Sequence, residues 1–133
     1  MNTEGRGKLA VEIDSKNKFQ VVFSPINGTV WKNRNELCEL FGCYLKDINK
    51  SLKIIFEKNI LRIEDTCRYH TIAGAKRIDH DISEVNLSVI LALSFYIETQ
   101  HSKILREWFL IRCLNYPHFE LPSFDINQNY QLN

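Results

Sequence analysis

Lys46, Asn49, Lys50 and Lys53 recur at i, i+3, i+4 and i+7 in a stretch patterned as a helix. That spacing stacks their side chains along one helical face. Ammonium and carboxamide groups arranged in this way suit nucleic acid. Lysine donates to guanine or neutralises phosphate, and asparagine pairs with adenine through the two ends of its amide. In a helix-turn-helix the second helix lies in the major groove with its N-terminal residues at base edges. On that geometry Tyr44, Lys46 and Asn49 are candidate base readers, and Lys50 and Lys53 are candidate phosphate contacts. The competing reading is an amphipathic helix with a solvated lysine face, which is common on surface helices.

Such a face must be held by a tight two-helix unit, and residues 33–58 carry the pattern for one. Asn33 is a good N-cap with Glu36 three positions later, in the manner of a capping box. Leu37, Cys38, Leu40 and Phe41 give the first helix an apolar side, and Gly42 supplies a residue that tolerates positive φ at the turn. A small residue, Cys38, stands four before that glycine, and an apolar one, Ile48, stands six after it. The second helix is expected from about Tyr44 to Lys58, with Leu45, Ile48, Leu52, Ile55 and Phe56 forming its buried stripe.

The flanks read as mixed structure. Leu9 to Ile13 and Phe19 to Ser24 predict a β-hairpin, followed by Pro25, an Asn27-Gly28 turn and a short third strand at Thr29 to Trp31. Cys67 to Ile72 and Lys76 to Ile82 predict a second hairpin joined by Ala73-Gly74-Ala75. Arg68, His70, Lys76, Arg77 and His80 make this hairpin basic. Arg68, Lys76 and Arg77 are candidate DNA contacts if it acts as a wing; a charged sheet edge that discourages aggregation is the alternative. Two further helices are expected, Leu87 to Ile97, apolar nearly all round, and Ser102 to Leu114. The expected fold is α+β, a winged helix-turn-helix with an N-terminal β-hairpin, a second β-hairpin as the wing and two C-terminal helices. One domain spans 9–115, between a flexible N-terminus (1–8) and a flexible tail (116–133).

The totals exclude little. At 133 residues the chain suits one domain with its own core. Its net charge of +1 gives no support to nucleic acid, although counterion release favours basic binders. The distribution leans the right way: residues 44–58 hold four lysines against Asp47 and Glu57, whereas residues 83–133 hold three basic and five acidic side chains. Cys38, Cys43, Cys67 and Cys113 lack paired zinc spacing and read as small apolar residues. His70, His80, His101 and His118 stand apart, although His70 and His80 are positioned to face each other across the second hairpin. Asp79 and Asp81 share a strand face but read as solubilising charges. No phosphate-binding glycine loop or hydrolase motif is present, so no catalytic residue, metal or cofactor is expected. No apolar run or signal segment indicates a membrane, and a cytoplasmic protein is the expectation.

Val30-Trp31, the Glu36-Leu37-Cys38-Glu39-Leu40-Phe41-Gly42 turn, Ile54-Ile55-Phe56-Glu57, Cys67-Arg68, Val85-Asn86-Leu87-Ser88-Val89-Ile90 and Leu105-Arg106-Glu107-Trp108 form an ordered series. It resembles the N-terminal region of the RhuM family of bacterial DNA-binding proteins, over about Val30 to Leu114. The resemblance implies double-stranded DNA binding by a bacterial transcriptional regulator, with no catalytic residues to carry over. The chain departs from the family at Cys43-Tyr44-Leu45-Lys46-Asp47, where small Ser and Thr residues and an Arg usually open the second helix. The alternative is a winged-helix protein–protein adaptor, with the two C-terminal helices available for a homodimer.

Overall fold

The computed structural model describes residues 5–74 and 78–115. Lys76, Arg77 and the tail expected over 116–133 lie outside the described residues.

Strand β1 (Lys8–Ile13) pairs antiparallel with β2 (Phe19–Ser24), in register from Lys8↔Ser24 to Ile13↔Phe19. Their loop is organised by Asp14, whose carboxylate accepts from the amides of Lys16 (2.8 Å) and Lys18 (3.0 Å). Asn17 takes the left-handed conformation there, with φ of 61°, as short polar side chains tolerate. One face of the hairpin lies on the core through Leu9, with Val11, Val21 and Phe23 packed beside it.

The third strand expected at Thr29 to Trp31 does not form. The chain turns at Asn27-Gly28, closed by a single Ile26↔Thr29 bridge. It meets the second hairpin only at Lys32, whose backbone exchanges hydrogen bonds with Val85 (3.0 and 2.9 Å). The expectation of little fixed structure before Gly7 also fails at Arg6. This residue is buried, its carbonyl accepts from the Trp31 amide at 2.8 Å, and its guanidinium meets Glu36 and Glu84.

Helix α1 (Arg34–Phe41) starts at a complete capping box. Asn33 Oδ1 accepts from the Glu36 amide (2.9 Å), and Glu36 Oε1 accepts from the Asn33 amide (2.8 Å). It stops at Gly42, with φ 62° and ψ 44°, where a side chain would cost about 1–2 kcal/mol in the left-handed well. Helix α2 (Leu45–Glu57) opens with Asp47 accepting from the Tyr44 amide at 3.2 Å. Ile48, Ser51, Leu52 and Ile55 are its buried residues. Burial of each aliphatic side chain contributes about 1.5–3 kcal/mol. Leu45 is a correction: it shares the azimuth of Leu52, seven residues on, but it is exposed at the first residue of α2, and the buried stripe starts only at Ile48.

A single turn, α3 (Ile63–Thr66), leads into β3 (Cys67–Ala73), which pairs antiparallel with β4 (Ile78–Val85). Both strands continue past the ends expected from the sequence. A bulge between Arg68 and Tyr69 sets the register so that His70 pairs with Asp81 and Thr71 with His80. Successive side chains alternate between the faces of a strand, so His70 and His80 fall on opposite faces and the expected pair is not made. His80 packs against Tyr69 (ring centroids 4.8 Å) and lies 3.8 Å from Glu64.

Helix α4 (Leu87–Leu93) is capped by Asn86, whose side chain accepts from the amides of Ser88 and Val89. It stops short of the Ile97 expected from its apolar run. Phe95 and Tyr96 instead make i→i−3 bonds to Ala92 and Leu93, and the carbonyl of buried Ser94 accepts from Ser102 Oγ and Arg106. Those donors come from α5 (Gln100–Asn115), so the polar corner between the helices outweighs helical continuation. Thr99, just before α5, donates its hydroxyl to the carbonyl of Phe41 at the end of α1. Leu37, Phe41, Ile48, Ile55, Val89 and Leu105 belong to one buried cluster. The fold is α+β, with two antiparallel hairpins and five helices among the described residues. No described helix is long and apolar enough to cross a membrane.

Candidate nucleic-acid interface

The burial of Ile48, Ser51, Leu52 and Ile55 fixes the rotation of α2, because those residues occupy one side of a 3.6-residue helix. Lys46, Asn49, Lys50 and Lys53 consequently share the opposite side, and all four are exposed. Tyr44 stands at the helix start and is 76% exposed. The structure therefore brings together the five residues on this segment that the sequence nominated. Lys53 is drawn to Glu57 one turn on, at 3.9 Å, an exposed pair that competes little with a phosphate.

Two grooves flank this face. On one side Arg34, Asn49, Lys53, Phe56 and Ile82 line a groove between α2 and β4. On the other, Lys50 stands with Asp47 and Glu98 in a groove against the α4–α5 corner. The positive side of α2 is thus the one toward the second hairpin.

Arg34 is the residue that the sequence reading missed. Its Nε donates to Asn49 Oδ1 (2.8 Å) and its Nη1 donates to the carbonyl of Ile82 (2.7 Å). One guanidinium thereby joins the first turn of α1 to α2 and to the hairpin. A signal was available: a cation in the first turn of a helix opposes the macrodipole, so Arg34 immediately after the N-cap is locally unfavourable and calls for a partner.

Arg68 behaves differently from the α2 residues. Its Nη1 lies 2.8 Å from Glu84 Oε1, and its guanidinium stacks on Trp31 at 4.2 Å. Among the described residues no hydrogen bond or ion pair joins it to α2. Glu84 also forms an ion pair with Arg6, Oε2 lying 2.6 Å from Nε, while the Arg6 terminal nitrogens reach Glu36. This cluster fixes the base of the hairpin to the start of α1. Burial alone would raise the Glu36 carboxyl. The Arg6 hydrogen bond, the Asn33 amide and the charges of Arg6 and Lys32 together hold it below its ordinary value.

The thiols are not poised for chemistry. Burial, with the Cys38 thiol and the Asp47 carboxylate nearby, pushes Cys43 up to about 11, and burial also raises Cys38 and Cys67. These groups stay protonated at neutral pH, as small apolar residues do. Of the four, only Cys67 is buried; Cys38 and Cys43 are half-buried, and Cys113 is exposed near the end of α5.

The C-terminal helices divide in their role. Val89, Ile90 and Leu93 of α4 are buried within the domain, whereas Leu91 on the same helix and Phe95 and Tyr96 just after it are exposed. On α5, Leu105 is buried and Trp108 packs edge-on against Phe23 (5.2 Å), whereas Leu110 and Ile111 are 49% and 57% exposed. No family model, curated protein or solved structure matches the chain.

Proposed function

We propose that the chain binds double-stranded DNA through a winged helix-turn-helix, with α1 and α2 as the two helices and β3–β4 as the wing. The observation that carries this reading is the face of α2. Lys46, Asn49, Lys50 and Lys53 are exposed together, opposite the buried stripe of Ile48, Leu52 and Ile55. The Lys32–Val85 bridge supports it, since it adds the strand-like segment before α1 to the second hairpin. Arg34 adds a cation beside Asn49. The resemblance of the Val30 to Leu114 series to the RhuM family, if it reflects kinship, points to the same activity and to a bacterial transcriptional regulator.

The test is retention of duplex DNA by the full chain as salt is raised. Binding through phosphates weakens with a log–log slope of about −0.9 per contact, so Lys50 and Lys53 alone give a slope of about −1.8. Absence of duplex binding at low salt sinks the proposal.

A protein–protein adaptor is the second reading, favoured by the exposed Leu110 and Ile111 on α5. A homodimer through α5 would serve either role. Sedimentation of the chain with and without duplex separates them: salt-insensitive self-association without DNA uptake supports the adaptor.

A further inference from the structure

We infer that the α2 face is built to read guanine, and that Arg34 sets this preference by occupying the acceptor end of Asn49. The inference rests on the DNA-binding reading above and adds its base specificity.

An asparagine amide has one acceptor atom, Oδ1, with two lone pairs, and a donor nitrogen, Nδ2; a partner on Oδ1 takes one lone pair and fixes which way the amide points. Pairing with adenine uses both at once: Nδ2 donates to N7 while Oδ1 accepts from N6. In this chain Oδ1 accepts from Arg34 Nε at 2.8 Å. The orientation of the amide follows from chemistry, because a guanidinium has donors and no acceptor, so only the oxygen end can face it. Arg34 is itself held from its other side by the Ile82 carbonyl at 2.7 Å. That leaves Nδ2 for the groove, and nothing among the described residues accepts from it.

The neighbours of Asn49 point the same way. Lys46, one turn before it, and Lys50, the next residue, are both exposed and carry only donors. The acceptor within that stretch, Asp47, is engaged by the Tyr44 amide and borders the other groove beside Glu98. Glu57, at the far end of the helix, lies 3.9 Å from Lys53. On the exposed face of α2, Lys46, Asn49 and Lys50 therefore offer N–H donors, while the remaining acceptors are the Tyr44 hydroxyl at the helix start and the Asp47 carboxylate bordering the other groove. In the major groove guanine presents two adjacent acceptors, O6 and N7. Adenine instead sets the N6 amino donor beside N7, and a donor at that position would be left unpaired by this face at a cost in affinity.

The decisive probe is a set of three duplexes of equal length, measured by fluorescence anisotropy at one salt concentration. One carries guanine runs, the second has those guanines replaced by 7-deazaguanine, and the third is A·T only. The guanine duplex should bind about tenfold more tightly than the A·T duplex, the worth of one good base contact. Loss of N7 should remove most of that advantage while leaving sequence and phosphate charge unchanged. Arg34→Lys keeps the charge but cannot bridge Asn49 and Ile82 together, so it should narrow the guanine-to-adenine ratio. The 7-deazaguanine comparison uses the unaltered protein and stands even if that variant folds poorly. Equal affinity for all three duplexes, or preference for A·T, overturns guanine reading and leaves DNA binding intact. Failure of every duplex to bind at low salt overturns both.

Discussion

Arg6 Nε lies 2.6 Å from Glu84 Oε2, joining the segment ahead of the first strand to the last strand of the second hairpin. The same guanidinium donates to Glu36, so one buried cation serves two carboxylates that are only 23% and 18% exposed. Removing it would leave two part-buried negative charges near each other. Breaking a fully buried pair costs about 3–5 kcal/mol. With the carboxylates still touching water, Arg6→Ala should cost on the order of 2 kcal/mol, discounted for screening. Urea unfolding of the two proteins measures it, and an unchanged midpoint would show that the cluster is ornamental.

Glu36 gives the same cluster a pH signature. Its carboxyl is held below the ordinary value of 4.5 in the folded chain, so folding favours the ionised form. The resulting stability is complete above 4.5 and disappears as pH falls through the lower folded value. Glu36→Gln keeps an acceptor for the capping box but removes this titration. The melting temperature of the parent should drop more steeply on acidification below that value than that of the variant; parallel curves would contradict the assignment.

Gly42→Ala should destabilise the chain by about 1–2 kcal/mol, the cost of a side chain at positive φ. The cost is conformational rather than steric, because a Cβ at Gly42 would lie in ordinary contact, 3.4 Å from His101 Nδ1. Thermal unfolding checks the size. Duplex affinity, measured well below the melting temperature, should fall as well, since α2 is aimed by this turn.

Charge removal should separate the basic residues by role. Lys53→Ala should weaken all duplexes alike and make the salt slope shallower by about one unit. Lys46→Ala combined with Asn49→Ala should abolish sequence preference. Arg68→Ala should leave both nearly untouched and lower the melting temperature, because its stacking on Trp31 and its pairing with Glu84 are internal. A salt slope that changed with Arg68 and not with Lys53 would move the interface from α2 to the hairpin.

The elements were legible where period and cap agreed. Asn33, Glu36, Gly42 and the Ile48–Leu52–Ile55 stripe specify α1 and α2 from local chemistry alone, and the Lys46 to Lys53 face follows from the same rotation. What escaped was decided at long range. Arg6 sits in a polar stretch with no pattern of its own, and only Glu36 and Glu84 give it structure. The helix from Leu87 reads as continuous through Ile97, yet the Ser94 carbonyl is taken by Ser102 and Arg106 from the next helix. His70 and His80 were placed on one face by counting; the bulge at Arg68–Tyr69 moves one of them across. Asn49 was matched to adenine because an isolated amide has two ends, and Arg34 takes one of them.

The hydroxyl of Thr99 closes the last turn of α1 from far along the chain, and His101 rests against Gly42 beside it. The angle between α1 and α2 is therefore a shared property of the turn and the C-terminal helices. A peptide cut to 33–58 would keep every residue of the recognition face and lose what holds it in position. Shortening the chain before α5 should thus abolish presentation of that face even though α5 never approaches the groove. The same dependence makes the α4–α5 corner a remote handle on DNA affinity.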